Sequence, residues 1–286
     1  SPSSSAAERA VDAARELGFP AVVKPCSLSG SRGVIRADDP DEARAAAVRA
    51  RRILADAGGG PDEPLLVEEF VPGAELAVEG IVRSGVFEAL ALFDKPDPLD
   101  GPFFEETIYV TPARLDEGTV AAVTRLVGDA VAAIGLREGP VHAEVRVATG
   151  DRGPVLLEAA SRTIGGNCAR ALRFATGASL EEIVLAHYLG IPSPAPPDSE
   201  ASGVVMIPIP RTGRLVAVRG LDRARAVEHV TGAEISIPPG RLVRALPEGD
   251  RYLGFAFARA ETPDLVEAAL RAALAELEIE IEIEAA

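Results

Sequence analysis

Two alternating apolar runs, ELAVEGIV and VFEALALF, lie between Ala74 and Phe93 and are separated by Arg83-Ser84-Gly85. A period of two gives a strand one packed face, and a short glycine-containing turn between two such runs closes an antiparallel hairpin. The pattern returns downstream, where 140–147 and 154–159 flank Thr149-Gly150-Asp151-Arg152-Gly153. Between the hairpins, 116–134 repeats Val, Leu and Ile at helical spacing. Strands that pair with their sequence neighbours, with helices set among them, constrain the chain to an α+β fold.

The remaining elements follow from the same signals. Residues 6–17 have helical composition and stop at Gly18, and 20–25 read as a short buried strand. The Gly- and Ser-rich segment 26–34 reads as a flexible hairpin tip before a strand at 33–36. Asp38-Asp39-Pro40-Asp41 opens a helix to about residue 57, with acids at its positive end, and 65–67 form a third strand. Residues 1–73 therefore make one small α+β unit. A second, 74–190, adds a Pro-rich loop at 94–102, a strand at 104–110 and helices at 167–175 and 179–189. The stretch 191–203 has four prolines and no periodicity, and it reads as a linker. Beyond it, 201–286 forms a terminal α+β module with strands at 203–209, 214–219, 232–237 and 253–259 and a helix at 262–277. The alternating tail 278–283 reads as a half-buried strand rather than an acidic arm.

Charge narrows the partners. The 286 residues carry 29 basic and 44 acidic side chains, a formal charge of −15, which argues against a nucleic-acid or anionic-membrane surface. Any phosphate must then be held by a few local cations and backbone amides. Only two of the 29 basic residues are lysines, Lys24 and Lys95, so each stands out against an arginine background. Cys26 and Cys168 are too few for a disulfide framework, and no apolar run approaches a membrane span, so reduced cytoplasm is the expected setting. The start lacks Met and reads as a processing boundary.

Three segments could carry chemistry. Lys24 precedes the small-residue loop containing Ser27, Ser29, Gly30, Ser31, Arg32 and Gly33. An ammonium beside free backbone N–H groups suits a polyphosphate, and an exposed hairpin turn is the plain alternative. Glu68-Glu69-Phe70-Val71-Pro72-Gly73-Ala74-Glu75 follows a strand, where extended backbone could bond an adenine edge and a carboxylate could accept from ribose, or where a polar turn could simply connect strands. In the 140–159 hairpin, pairing about residue 151 sets Glu144 opposite Glu158. Like charges across a pair repel unless a cation separates them, and carboxylates suit Mg²⁺. Arg162 could reach a phosphate that such an ion bridges, or form a surface ion pair. His142 reads as a packed neighbour of that site, Cys168 as a weak nucleophile candidate, and His187 and His229 as structural. The 94–106 loop, with Lys95, Glu105 and Glu106, reads as a substrate-facing element or a plain surface loop.

VVKP with SGSRGV, LLVEEFVPGAELAVEG, HAEVRV and PVLLEAASRTIGG, in that order over about 18–190, resemble the ATP-grasp superfamily. The resemblance is to carboxylate–amine ligases of the L-amino-acid ligase and carnosine synthase type, and SGVVMIPIPRTGRL with YLGFAFARA resembles their C-terminal domain. It implies an ATP-grasp fold of two α+β subdomains followed by a small α+β domain. It further implies that Lys24 contacts ATP phosphates under a lid carrying Ser29, Gly30 and Ser31. Glu68 and the backbones of Glu69 and Val71 would hold adenine, and Glu75 would face ribose. Glu144 and Glu158 would bind Mg²⁺, or Mn²⁺ in its place, and Arg162 would be catalytic.

The activity implied is amide formation between a small-molecule carboxylate, an amino acid by preference, and an amine through an acyl phosphate. A carboxylase-type enzyme and a non-catalytic nucleotide-binding fragment are the alternatives. A homodimer is compatible with the family. Two departures stand out: Ala160 occupies the place of a usual metal-binding Asn, leaving Asn167 or water to substitute, and the family's N-terminal domain is expected upstream.

Overall fold

The computed structural model describes residues 2–150, 152–172, 177–192 and 200–283. The N-terminal unit comprises α1 (Pro2–Leu17), β1 (Ala21–Pro25), β2 (Ile35–Ala37), α2 (Pro40–Asp56) and β3 (Leu65–Glu69), with the strands ordered β2-β1-β3 and all antiparallel. The Asp39 side chain caps α2 by accepting from the N–H groups of Asp41 and Glu42, while Pro40 fills the first turn, where no N–H is missed. On β1 the alternation divides the work. Ala21 and Val23 pack with residues of α1 and α2, whereas Val22 and Lys24 turn to the opposite side.

The second stretch contributes β4 (Gly73–Arg83), β5 (Val86–Lys95), β6 (Ile108–Thr111), α3 (Glu117–Ala133), β7 (Gly139–Ala148), β8 (Pro154–Ala160), a short 3-10 turn at Cys168–Ala171 and α4 (Leu180–Tyr188). The C-terminal stretch adds β9 (Ala201–Ile207), β10 (Gly213–Arg219), α5 (Leu221–Arg225), β11 (Val230–Ile235), β12 (Leu242–Val243), β13 (Gly254–Ala260), α6 (Pro263–Ala275) and β14 (Glu278–Glu282). One eight-stranded sheet, ordered β11-β13-β9-β6-β5-β4-β7-β8, draws on both stretches. β9 pairs antiparallel with β6 from Ile108↔Val205 to Thr111↔Ser202, so the chain on either side of the Pro-rich segment shares a single ladder.

One face of this sheet is covered by helices. Val123, Val127 and Val131 of α3 pack on Leu76, Val78, Val141, Ala143 and Val145, while Val266, Ala269, Leu270 and Ala273 of α6 pack on Ile108, Val110, Val205, Ala256 and Ala258. Aliphatic positions at helical spacing meet aliphatic positions at strand spacing, the arrangement that removes both stripes from water. The opposite face carries Ala77, Phe93, Tyr109, Val204, Met206, Phe255 and Phe257, partly covered by Ile164, Cys168, Leu172, Leu180 and Ile183. Next to this apolar patch lie buried polar residues of the same face, Glu75, Glu79, Lys95, His142 and Arg146.

Several boundaries differ from the sequence expectation. The strand expected at 104–110 begins at Ile108, and Phe103 instead makes an isolated bridge to Ile35. The helix expected at 167–175 is a 3-10 turn over 168–171, and 173–175 lie outside the described residues, as do 193–199 of the linker, Asp151 and Glu284. α5 and β12 were not signalled, because five- and two-residue elements are too short to display a period. The alternating tail pairs with β10 as β14, and Ile279 and Ile281 join Leu215, Ile207 and Leu253.

Candidate functional site

A cleft of about 1130 Å³ lies between the N-terminal unit and the polar face of the large sheet. Lys24, Ser29, Gly30, Ser31, Glu68, Glu69, Val71, Glu75, Glu144, Glu158 and Arg162 all line it, whereas Ser27, Gly33, Lys95 and Glu105, also singled out above, do not. Strand geometry brings them there. Val22↔Glu68 and Lys24↔Leu66 are registered partners on β1 and β3, so Lys24 and Glu68 share the cleft face, and Lys24 Nζ lies 2.5 Å from Glu68 Oε2. In the loop, Ser31 and Gly30 both have positive φ, 57° and 63°, conformations that small residues accept at least cost.

At the hinge, Phe70 stacks on Phe104 with ring centroids 6.3 Å apart, and Val22 and Leu99 join them in an apolar wall. Arg146 secures this wall, since its Nη1 donates to the Val71 carbonyl at 2.7 Å and its Nη2 to the Leu99 carbonyl. Glu69 faces Arg152 in a two-pronged pair, which holds its carboxyl below the ordinary range.

The floor is a set of charges on one face of β4, β5 and β7, joined by Glu106 from the segment between β5 and β6. Glu75, 8% exposed, accepts from Lys95 Nζ at 2.7 Å and Arg146 Nε at 2.9 Å. Lys95 also donates to Glu106 at 2.5 Å and Glu144 at 3.0 Å, and its Nζ lies 5.1 Å over the Tyr109 ring. His142 Nδ1 lies 2.5 Å from Glu79 Oε1, and Glu79 Oε2 accepts the Ile164 N–H. Its Nε2 is 3.7 Å from Glu144. Glu75, Glu79, Glu106 and Glu144 thus share Lys95, Arg146 and His142.

Two consequences follow from that imbalance. Burial pushes the Glu106 carboxyl up to about 7, with Lys95 opposing and Glu144 adding to the rise. Burial works against a charged His142, yet its bonds to Glu144 and Glu79 outweigh it and carry the imidazole up to about 9. Glu144 is held well below the usual carboxylate range by Lys95 and His142 despite its own desolvation.

Glu144 and Glu158 are registered partners across β7 and β8, beside a bulge between Glu144 and Val145. Their environments diverge. Glu144 has Lys95, whereas Glu158 is half exposed with Arg162 Nη2 3.8 Å away. The carboxylate oxygens of Glu75, Glu106 and Glu144 lie within 4.8 Å of one another, a hard-oxygen set of the kind Mg²⁺ takes, with Lys95 among them. Ala160 faces His142 in the ladder and brings no donor, while Asn167, with φ 57°, lines the cleft. Cys168 is buried beside Met206 and its thiol is pushed well up by burial, opposite to an activated nucleophile.

The sequence left out the cleft's far wall. Met206 and Phe255 come from β9 and β13, and Asp250, Arg251 and Tyr252 from the loop between β12 and β13. Only the pairing of β9 with β6 brings them here, and no local signal carries that. Arg146 was also missed, although it sits two residues from Glu144 on the same face. Lys95 and Glu106 stand in the 94–106 loop that the sequence sets toward substrate, and Lys95 is the buried centre of the floor.

Residues 17–171 match the model of the ATP-grasp domain, and 205–282 match L-amino acid ligase C-terminal domain 2. Alanine–anticapsin ligase of Bacillus subtilis (strain 168) is 26% identical over 189 residues, 60% of this chain and 39% of that protein. Dapdiamide A synthase of Enterobacter agglomerans is 32% identical over 154 residues, 52% of this chain and 34% of that protein. The chain therefore spans well under half the length of these relatives. The crystal structure of L-amino acid ligase from Bacillus licheniformis superposes with a TM-score of 0.77 at 26% identity, covering 93% of this chain and 65% of that one.

Proposed function

The chain belongs to the ATP-grasp family, and on that premise we propose that the protein carrying it is an ATP-dependent ligase joining a carboxylate, an amino acid by preference, to an amine. The observation that carries this is the convergence of Lys24, Glu144, Glu158 and Arg162 on one cleft, reached from three separate parts of the sequence. Similarity to two ligases and a C-terminal match to the L-amino acid ligase model support the same class.

In this reading the Phe70, Phe104 and Val22 wall receives the adenine, with backbone at Glu69 and Val71 beside it. Lys24 and the N–H groups of Ser29, Gly30 and Ser31 face the phosphates, and the Lys24–Glu68 pair opens to admit them. Glu144 and Glu158, carboxylates registered across β7 and β8, would hold Mg²⁺, with Glu106 within 4.8 Å of Glu144 as a further oxygen donor and Asn167 lining the same cleft. When bound, the metal would neutralise charge on the transferring phosphates.

The substrate carboxylate oxygen attacks the γ-phosphorus and the bond to ADP breaks. The resulting acyl phosphate is attacked at carbon by the amine, and amide, inorganic phosphate and a proton leave. Arg162, which lines the cleft beside Glu158, would hold the phosphoryl oxygens and later the tetrahedral oxyanion. The burden on the protein is positioning and charge, which is what the cleft provides. Ala160 favours a second reading, nucleotide binding without turnover.

Two experiments test the pair. Amino-acid mixtures should stimulate ADP release by the full-length protein, and if no acid and amine pair does so while Mg-ATP still binds, the second reading replaces the first. Calorimetry should show Mg-ATP affinity lost in the Glu144→Ala, Glu158→Ala double variant; equal affinity would remove those two residues from the metal site. Magnesium, small-molecule acid and amine partners and a cytoplasmic setting belong to this proposal. Among the described residues no helix is long and apolar enough to cross a membrane.

A further inference from the structure

The loop over the nucleotide end of the cleft is gripped from outside by the C-terminal stretch. Glu248 lies in the loop between β12 and β13. Its carboxylate accepts from Arg49 Nε at 2.7 Å and Nη2 at 3.0 Å, a two-pronged pair reaching across to α2. Its backbone carbonyl accepts from Arg32 Nε at 3.1 Å, and the neighbouring Pro247 carbonyl accepts the Gly33 N–H at 2.9 Å. Arg32 and Gly33 are the last residues of the Gly/Ser loop, and Arg49 belongs to the helix whose Ala46, Ala47 and Ala50 pack against Val23 and Ile35 on either side of that loop.

Gly33 has a φ of 75°, and a Cβ there would fall 2.9 Å from the Pro25 ring, so the loop's end is fixed in a glycine conformation that sends its N–H to Pro247. Two to four residues beyond Glu248, Asp250, Arg251 and Tyr252 line the cleft itself. One short segment therefore touches both the loop and the wall opposite.

Half-exposed ion pairs usually contribute little, but a bidentate fork flanked by two hydrogen bonds to the same segment is the arrangement in which they count. We propose that Glu248 is a positioning residue that docks the 26–33 loop, so that the loop's hold on a bound nucleotide depends on the C-terminal stretch although Glu248 itself touches no substrate. The role of the loop rests on the nucleotide reading above; the docking does not.

The test uses the full-length protein with Glu248→Gln, Arg49→Gln and the exchange Arg49→Glu with Glu248→Arg. Both side chains are partly exposed, so neither loss leaves a buried unpaired charge, and the thermal midpoint should hold. Each single variant should raise the Mg-ATP dissociation rate and the KM for ATP by about three- to tenfold with kcat unchanged. Each should also speed hydrogen exchange at 28–34 in the nucleotide-free protein, and the exchanged pair should return all of these toward wild type. Unchanged dissociation in both single variants overturns the proposal, as does an exchanged pair no better than the singles. If the wild type binds no Mg-ATP, the nucleotide reading fails instead. The exchange rates at 28–34 then decide the docking alone, and no acceleration in the singles overturns it.

Discussion

Replacing Lys95 by methionine would leave Glu106 without a cation and Glu75 and Glu144 with only Arg146 and His142 beside them. Removing one partner of a buried charge network costs roughly 3–5 kcal/mol, which urea denaturation would read as a lowered midpoint. Millimolar Mg²⁺ should restore more stability to this variant than it adds to the wild type, because the three carboxylates are already within ligating distance of one ion. Equal shifts in the two proteins would show that the cluster holds no metal.

His142 supplies a pH signature. Its folded pKa of about 9 exceeds the ordinary 6.5, so it contributes stability that is fully present below 6.5 and is lost as pH rises through 9. The thermal midpoint of wild type should therefore exceed that of His142→Gln at neutral pH and lose most of that margin above 9; a constant margin would contradict the His142–Glu79 pair. Glu106, raised from 4.5 to about 7, likewise favours the folded state below 4.5 and loses that contribution through 7, so Glu106→Gln should flatten the stability profile across that window. Lys24, Glu144 and Glu158, which line the cleft, are distinguishable in the sequence as candidates. Arg146 was not, because an arginine in a strand gives no sign of whether its face is wet or covered.

The strands show how far alternation goes. A period of two sets Glu75 and Glu79, and His142 and Glu144, on one side of their strands. An alternating polar face is usually a solvated one, and in β4, β5 and β7 it is instead the buried floor of a cleft. At the seam of the large sheet, Gly203 of β9 leaves no room for a side chain. A Cβ there would meet the Tyr109 carbonyl at 2.6 Å and Val266 and Leu270 of α6 at 2.8 and 3.0 Å. Gly203→Ala should cost about 1–3 kcal/mol in chemical denaturation, since backbone and packed helix must both yield. A milder loss of about 1 kcal/mol is expected for Ser179→Ala, which removes the capping box that starts α4. The 3-10 turn at 168–171, read in advance as helix, shows the limit of composition when Gly165 and Gly166 precede and Leu172 returns to extended backbone.

Across the molecule, the C-terminal stretch is woven into the sheet that bears the site. β9 and β13 supply Val204, Met206, Phe255 and Phe257 to the core that holds Tyr109, Phe93 and Ile164. Ending the chain at residue 190 would strip β6 of its β9 partner, leaving only β5, and expose that core. The truncated protein should be insoluble or lack a cooperative transition, whereas the intact chain should melt as one unit by calorimetry; two separate transitions would contradict the shared core. The sequence alone determined the α+β class, the hairpins, the order of the motifs and the family they resemble, because short-range periodicity and turn chemistry are local properties. It also placed Glu144 opposite Glu158, since a hairpin's register is counted from its turn. Only the tertiary structure decided that Lys95 would be shared by three carboxylates, that β9 would extend the sheet from β6, and that Glu248 would hold the loop of residue 33. Those contacts join segments that are distant in the chain, and their free energy depends on which faces are buried together, a quantity no local pattern contains.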